Sequence, residues 1–186
     1  MAAKGFKTYL GVCVLLVIII VGVIVIITQT MFKLKDPDIN LHPVGLDKFD
    51  FFLLLNSTKN VTLGMMISIK NPNYGTFKYK NSTGYVNYDN TIVAEVPIEG
   101  RLVQPHSKMN LSTHAYIMPS KLVNDPQFFT DVGVGTLNLT SKAELHGKVS
   151  LMKVIKMKAT AYSSCNISLN ISSKDVDTKC ISKIKL

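Results

Sequence analysis

The chain has 186 residues, 47% of them hydrophobic, and a formal net charge of +9. Once an apolar N-terminal stretch is set aside, about 156 residues remain, enough for one domain with a real core and too few for two. The basic excess points to an anionic partner or a solvated lysine face, and the compartment argued below excludes nucleic acid.

Residues 1–9 form a short tail. The stretch Leu10–Ile27, LGVCVLLVIIIVGVIVII, carries no charge. With Thr28, Gln29 and Thr30 it spans residues 10–30, long enough as a helix to cross a hydrocarbon core of about 30 Å. A cleaved signal would have a shorter apolar run and small residues at a cleavage site. Thr28-Gln29-Thr30-Met31 does not match, so an uncleaved signal anchor is expected, with the lipid bilayer as its partner. Cys13 lies inside this run, as a small apolar residue or a palmitoylation site. Lys4 and Lys7 precede the helix, while Lys33 and Lys35 follow it beside Asp36 and Asp38. That balance barely sets orientation.

Residues 31–45, with Pro37 and Pro43, read as a stalk. From residue 46 to 186 short alternating apolar runs recur, separated by Asn, Gly, Pro and Asp. They predict an all-β antiparallel sandwich with one short helix. Expected strands are Leu46–Asn56, Val61–Lys70, Lys78–Lys80, Gly84–Asn87, Thr91–Ile98, Lys108–Ile117, Gly135–Ala143, Gly147–Met152 and Ile155–Ile171. The last is expected to bend or break near Ser163, and Thr178–Ile184 is a possible edge. Between Pro119 and Gly133 the pattern is helical. Pro126 sits badly mid-helix, so the helix is expected to start at Asp125 with Pro126 in its first position.

N-x-S/T triplets occur at Asn56, Asn60, Asn81, Asn110, Asn138, Asn166 and Asn170, seven of thirteen asparagines. Chance predicts about two, and all seven follow the apolar helix. In Cys165–Ser172 the asparagines take one strand parity and Cys165, Ile167, Leu169 and Ile171 the other, so both acceptors should face solvent. Cys165 and Cys180 are the only cysteine pair after the helix. In an oxidising compartment they would pair; in a reducing one they would be two buried thiols. Acceptors and cysteines together place the C-terminal domain outside the cytosol, as in a single-pass type II protein.

Little here points to catalysis or to a cofactor. His42, His106, His114 and His146 are scattered, and Gly133-Val134-Gly135 precedes a strand rather than following one. Asp36-Pro37-Asp38 and Asp175-Val176-Asp177 are D-x-D triplets of the kind transferases use for a metal. The first is expected in the stalk, the second in a turn. From Lys142 to Leu186 nine lysines face three acids. A lysine face there could meet an anionic surface, either lipid headgroups or an acidic wall polysaccharide.

The stretch Ile69-Lys70-Asn71-Pro72-Asn73-Tyr74-Gly75 resembles the late embryogenesis abundant group 2 domain, and more narrowly the NDR1/HIN1-like proteins of plants. The turn at Asn71, Pro72 and Asn73, the hairpin tyrosines Tyr79, Tyr85 and Tyr88, the Leu145–Val149 segment and the late cysteines carry the likeness. So does the N-terminal apolar helix. The resemblance implies a seven-stranded, fibronectin-III-like sandwich at the plasma membrane or in the secretory pathway. It implies a role in stress or pathogen defence and no catalytic residues. Tyr79, Tyr85 and Tyr88 are expected to pack over strand ends. The nine-residue tail is shorter than is usual in the family, which argues against a signalling role for it.

The resulting expectation is a glycosylated, membrane-anchored, non-enzymatic binding or scaffold protein of the cell surface. The alternative is a lipid-handling module whose sandwich holds an acyl chain, lined by Met65, Met66, Phe128 and Phe129. A small type II transferase using Asp175 and Asp177 is the third.

Overall fold

The computed structural model describes residues 2–45, 61–151 and 155–186, with backbone alone at 2–8 and 30–32. The expected strand at Leu46–Asn56 and the acceptors Asn56 and Asn60 lie outside the described residues, as does the end of the strand expected to reach Met152. Two compact units form, Met1–Leu34 and Lys35–Leu186.

The first unit is a single helix, α1 (Ala2–Phe32). Its segment Tyr9–Gln29 is 21 residues long, apolar and exposed throughout, and long enough to cross a membrane. A helix in which every face is apolar has no polar side to offer water. The Thr28 hydroxyl donates back to the Val25 carbonyl at 2.9 Å, which satisfies its one polar group within the helix.

The second unit is antiparallel β. Its strands are β1 (Asp38–Val44), β2 (Val61–Asn71), β3 (Thr76–Tyr79), β4 (Ser82–Tyr88), β5 (Thr91–Ile98), β6 (Leu102–Val103), β7 (Ser107–Ile117), β8 (Thr136–Leu151), β9 (Ile155–Asn170) and β10 (Val176–Lys185). Two short helices, α2 (Pro119–Val123) and α3 (Pro126–Val134), join β7 to β8. The ten described strands exceed the seven that the family resemblance implies, because the hairpins β3–β6 and the long β9–β10 ribbon add to the frame.

One continuous sheet folds over on itself. β1, β2, β7 and β5 make one half, and β8, β9 and β10 the other. β4 joins them by pairing with both β5 and β8, with Tyr85 opposite Glu95 on one side and Lys142 on the other. β8 keeps β9 along its whole length, from Thr136 opposite Asn170 to Leu151 opposite Ile155. Its other edge serves β4 in the first half and β3 in the second. Ile39, Ile67, Ile69, Val96, Leu145, Val149 and Ala161 fill the space between the halves. Alternation explains the choice: on each strand every second residue is apolar and turns inward.

Several boundaries differ from the sequence expectation. Residues 38–44, expected in a stalk, form β1 on β2, with Leu41 opposite Ile67. Asn-Leu-His-Pro-Val alternates, but the prolines mask it as a linker. The strands expected at Gly135–Ala143 and Gly147–Met152 run together as one, β8. Gly147 is a close approach within it, since a side chain there would strike the Lys78 carbonyl and the Phe77 ring of β3. β9 likewise runs unbroken through Ser163, held in register by β8 and β10 on both edges. The helical stretch starts as expected at Asp125, whose side chain accepts from Gln127 N–H at 3.0 Å with Pro126 in the first turn. A separate turn, α2, precedes it with Pro119 in its first turn, and its N-cap residue is Met118, which makes no side-chain cap hydrogen bond.

Candidate functional site

The Asn71-Pro72-Asn73 turn is a hydrogen-bonding hub. Asn71 and Asn73 are both buried. The Asn71 amide donates to the carbonyls of Gly75 at 2.8 Å and Gln104 at 3.1 Å, and its oxygen accepts from Asn73 N–H at 3.0 Å. The Asn73 side chain binds the backbone of Lys35 at both ends: Lys35 N–H donates to its oxygen at 2.6 Å, and its amide donates to the Lys35 carbonyl at 2.8 Å. The motif therefore clamps the point where the chain enters the domain, as well as ending β2. Asp36 extends the clamp by accepting from Ile184 N–H of β10 at 2.8 Å. His106, at φ 49°, presents an edge to Tyr74 beside this turn.

All five described acceptors, Asn81, Asn110, Asn138, Asn166 and Asn170, are exposed. Asn138, Asn166 and Asn170 share the outer face of β8 and β9, and the Asn138 oxygen accepts from Ser168 across the ladder at 2.9 Å. Asn170 accepts from Ser172 and Ser173 N–H, both at 3.0 Å, where the chain turns into β10. Cys165 lies opposite Cys180 in the β9–β10 ladder and is bonded to it. Cys13 on α1 is free and exposed.

Further along that outer face the lysines gather. The rows Glu144–Tyr162–Lys183 and His146–Thr160–Lys185 run across β8, β9 and β10, with Lys148 opposite Lys158 and Lys142 in the adjoining row. Lys185 lies 5.5 Å from the Tyr162 ring centre. Acids are few here: Glu144 sits 3.7 Å from the His146 ring, and Asp177 sits 3.6 Å from Lys179. One end of the face thus presents acceptor asparagines and the other lysines, and Lys35–Asp36 is held at the lysine end.

The three hairpin tyrosines part ways. Tyr79 and Tyr88 are buried, whereas Tyr85 is exposed on the outer face of β4. This corrects the expectation that all three pack over strand ends: Tyr85 has the parity of Thr83 and Asn87. Tyr88 donates to Asp131 at 2.9 Å and meets the Phe128 ring edge-on at 5.9 Å, which locks α3 onto the sandwich. Burial and the Asp131 carboxylate together push its phenol well above the ordinary range. Tyr79 has a buried hydroxyl with no hydrogen-bond partner among the described residues, and burial raises its pKa from 10.0 to about 12.

An apolar slot of about 110 Å³ lies between the two halves of the sandwich. Most strands around it contribute residues two apart, such as Leu41 and Pro43 on β1, Leu63 and Met65 on β2, and Ile167 and Leu169 on β9. Phe128 and Val132 of α3 complete the wall. At roughly 24 cal/mol per Å³, leaving such a space empty costs about 2.6 kcal/mol. Of the residues expected to line an acyl site, Met65 and Phe128 line this slot. Met66 takes the opposite parity on β2, and Phe129 is 55% exposed on α3. Sequence reasoning missed the contribution of β1 and β10, whose signal was the i, i+2 pairs Leu41/Pro43 and Val176/Thr178.

The D-x-D residues are engaged separately. Asp36 caps Ile184, Asp38 accepts from Asn40, and Asp177 lies beside Lys179. Among the described residues no three His, Cys, Asp or Glu side chains are grouped so as to share a metal ion.

A helix long enough to cross a membrane and a disulfide-bonded antiparallel sandwich define the class of protein. The chain is 29% identical over 164 residues to Late embryogenesis abundant protein At1g64065 of Arabidopsis thaliana, covering 86% of this chain and 75% of that protein. Together with the Asn-Pro-Asn turn, this likeness supports a late embryogenesis abundant domain of the group 2 type for the sandwich. No family model matches the chain. Among solved structures it aligns with a protein from Archaeoglobus fulgidus (TM-score 0.38, 8% identity, 82% of this chain and 98% of that one). It also aligns with AT1g01470 of Arabidopsis thaliana (TM-score 0.34, 14% identity, 82% and 83%). The fold described above rests on the strand ladders and not on these superpositions.

Proposed function

We propose that the protein is a signal-anchored, non-catalytic binding or scaffold module of the NDR1/HIN1-like kind, acting at the cell surface in stress or defence. Its sandwich lies outside the cytosol in this reading. The observation that carries it is the Cys165–Cys180 bridge in a domain whose five described acceptor asparagines all face out. The lysine end of the β8–β9–β10 face is the surface offered to an anionic partner, either lipid headgroups or acidic wall polysaccharide.

The test is the mobility of the full-length protein, expressed in plant cells, before and after enzymatic removal of N-glycans. A drop of several glycan masses is expected, and substitution of Asn138, Asn166 and Asn170 by Gln should each remove one step. An unchanged band, with a domain that added protease digests in sealed microsomes whose cytosolic face is outward, would overturn the placement.

A further inference from the structure

We infer that the slot between the two halves of the sandwich binds one linear alkyl chain, such as an acyl tail, entering along the seam between β1 and β10. The inference rests on reading the domain as a binding module, and it names the ligand that such a module would take. The shape comes first. Pairs of residues two apart on strand after strand line the space, each pair spanning about 6.6–6.8 Å along its strand. A flexible chain can follow such paired rows. The chemistry agrees: the wall is aliphatic and aromatic, with Thr178 at its edge and, among the described residues, no charged group to orient a polar ligand. The Met65 thioether on the inner wall adapts to a flexible occupant.

The seam supplies the entrance. β1 and β10 are edge strands that lie side by side and, among the described residues, share no ladder. They are tied at one end by Ile184 N–H to Asp36. At the other end stand Pro43, Val176 and Thr178, half-buried, while Leu41, Met65 and Leu169 behind them are fully buried. An apolar helix of membrane length in the same chain places the domain where alkyl chains are the abundant apolar ligands.

The full-length protein in lipid nanodiscs, exposed to a trace of a diazirine-bearing fatty acid and irradiated, tests this. Adducts mapped by mass spectrometry should fall on wall peptides around Ile167–Leu169 and Val176–Thr178, as well as on the apolar helix. Excess unlabelled palmitate should suppress the wall adducts. Ala115→Leu fills the slot from the inside and Thr178→Trp blocks its rim; each should abolish the wall adducts and leave those on the helix. Each variant's thermal transition reports whether it folds, and if one does not, the other decides. Adducts confined to Tyr9–Gln29, or wall adducts that persist in both folded variants or under palmitate, overturn the proposal. Failure here leaves the glycan-shift result untouched, and a cytosolic domain would leave the labelling result untouched.

Discussion

Asn71 and Asn73 act less as turn formers than as connectors. The Asn71 amide answers backbone groups of Asn73, Gly75, Val103 and Gln104, and the Asn73 amide answers both backbone groups of Lys35; each is buried, so removing one strands carbonyls or N–H groups away from water. An unsatisfied buried polar group costs about 1–3 kcal/mol. Asn71→Ala, which leaves the Gly75 and Gln104 carbonyls without their donor, should therefore lower stability by about 2–4 kcal/mol in chemical denaturation; a loss below 0.5 kcal/mol would show that the hub is dispensable. Tyr79 predicts the opposite sign. Its buried hydroxyl has no partner among the described residues, so Tyr79→Phe should be neutral or stabilising by up to about 1 kcal/mol at pH 7. Its pKa is raised by burial, which means that the folded state holds the proton more tightly than the unfolded one. The stability tied to that proton is complete below pH 10 and is lost as pH rises from 10 to about 12. Tyr79→Phe should flatten the alkaline fall in stability over that window, and an unchanged pH profile would contradict the assignment.

At the scale of elements, β8 is the organising strand. It holds β9 on one edge and both β4 and β3 on the other, and Gly147 is where β3 crosses it closely. Gly147→Ala would press a methyl against the Lys78 carbonyl, with the Phe77 ring and the Tyr79 Cα each 2.9 Å away. Overpacking of this kind costs about 1–3 kcal/mol, measurable as a fall in the denaturation midpoint with hydrogen exchange loosening first at β3. α3 belongs to the same scale. Its cap at Asp125, the Tyr88–Asp131 hydrogen bond and the left-handed Gly135 at φ 87° set where Phe128 enters the slot. Much of this layer was legible. Val61–Asn71, Thr91–Ile98 and Ser107–Ile117 lie within a residue of their expected limits, because their alternation is regular. β1 was hidden, since Pro37 and Pro43 read as a linker until β2 supplies the partner that β1 pairs with. The close approach of β3 at Gly147 was not legible, because one sequence does not show that another backbone lies against it.

For the molecule as a whole, the bridge between β9 and β10 closes a loop of 15 residues. A constraint of that length contributes about 3 kcal/mol by restricting the unfolded chain. Cys165→Ala with Cys180→Ala, or reduction of the native protein, should lower stability by about that amount; an unchanged midpoint would mean that the ribbon is held by its ladder alone. The candidate site was half legible. Met65 and Phe128 were foreseen in the slot, but Met66 and Phe129 were not separable from them, since neighbours in sequence share hydrophobicity and differ in facing.

The sequence alone determined what depends on local order: an apolar run long enough to cross a membrane, alternating segments that make antiparallel strands, a Pro-initiated helix and the two late cysteines. It also determined that Asn166 and Asn170 would take the solvent parity, because a strand's period of two assigns faces without knowledge of the partner strand. Only the tertiary structure decided that Asn73 clamps Lys35, that β4 turns the sheet from one half to the other, and that β1 and β10 leave a seam above an apolar space. Those features arise from contacts between residues 30 to 150 positions apart, and such contacts follow from how whole strands pack, not from any pattern along the chain.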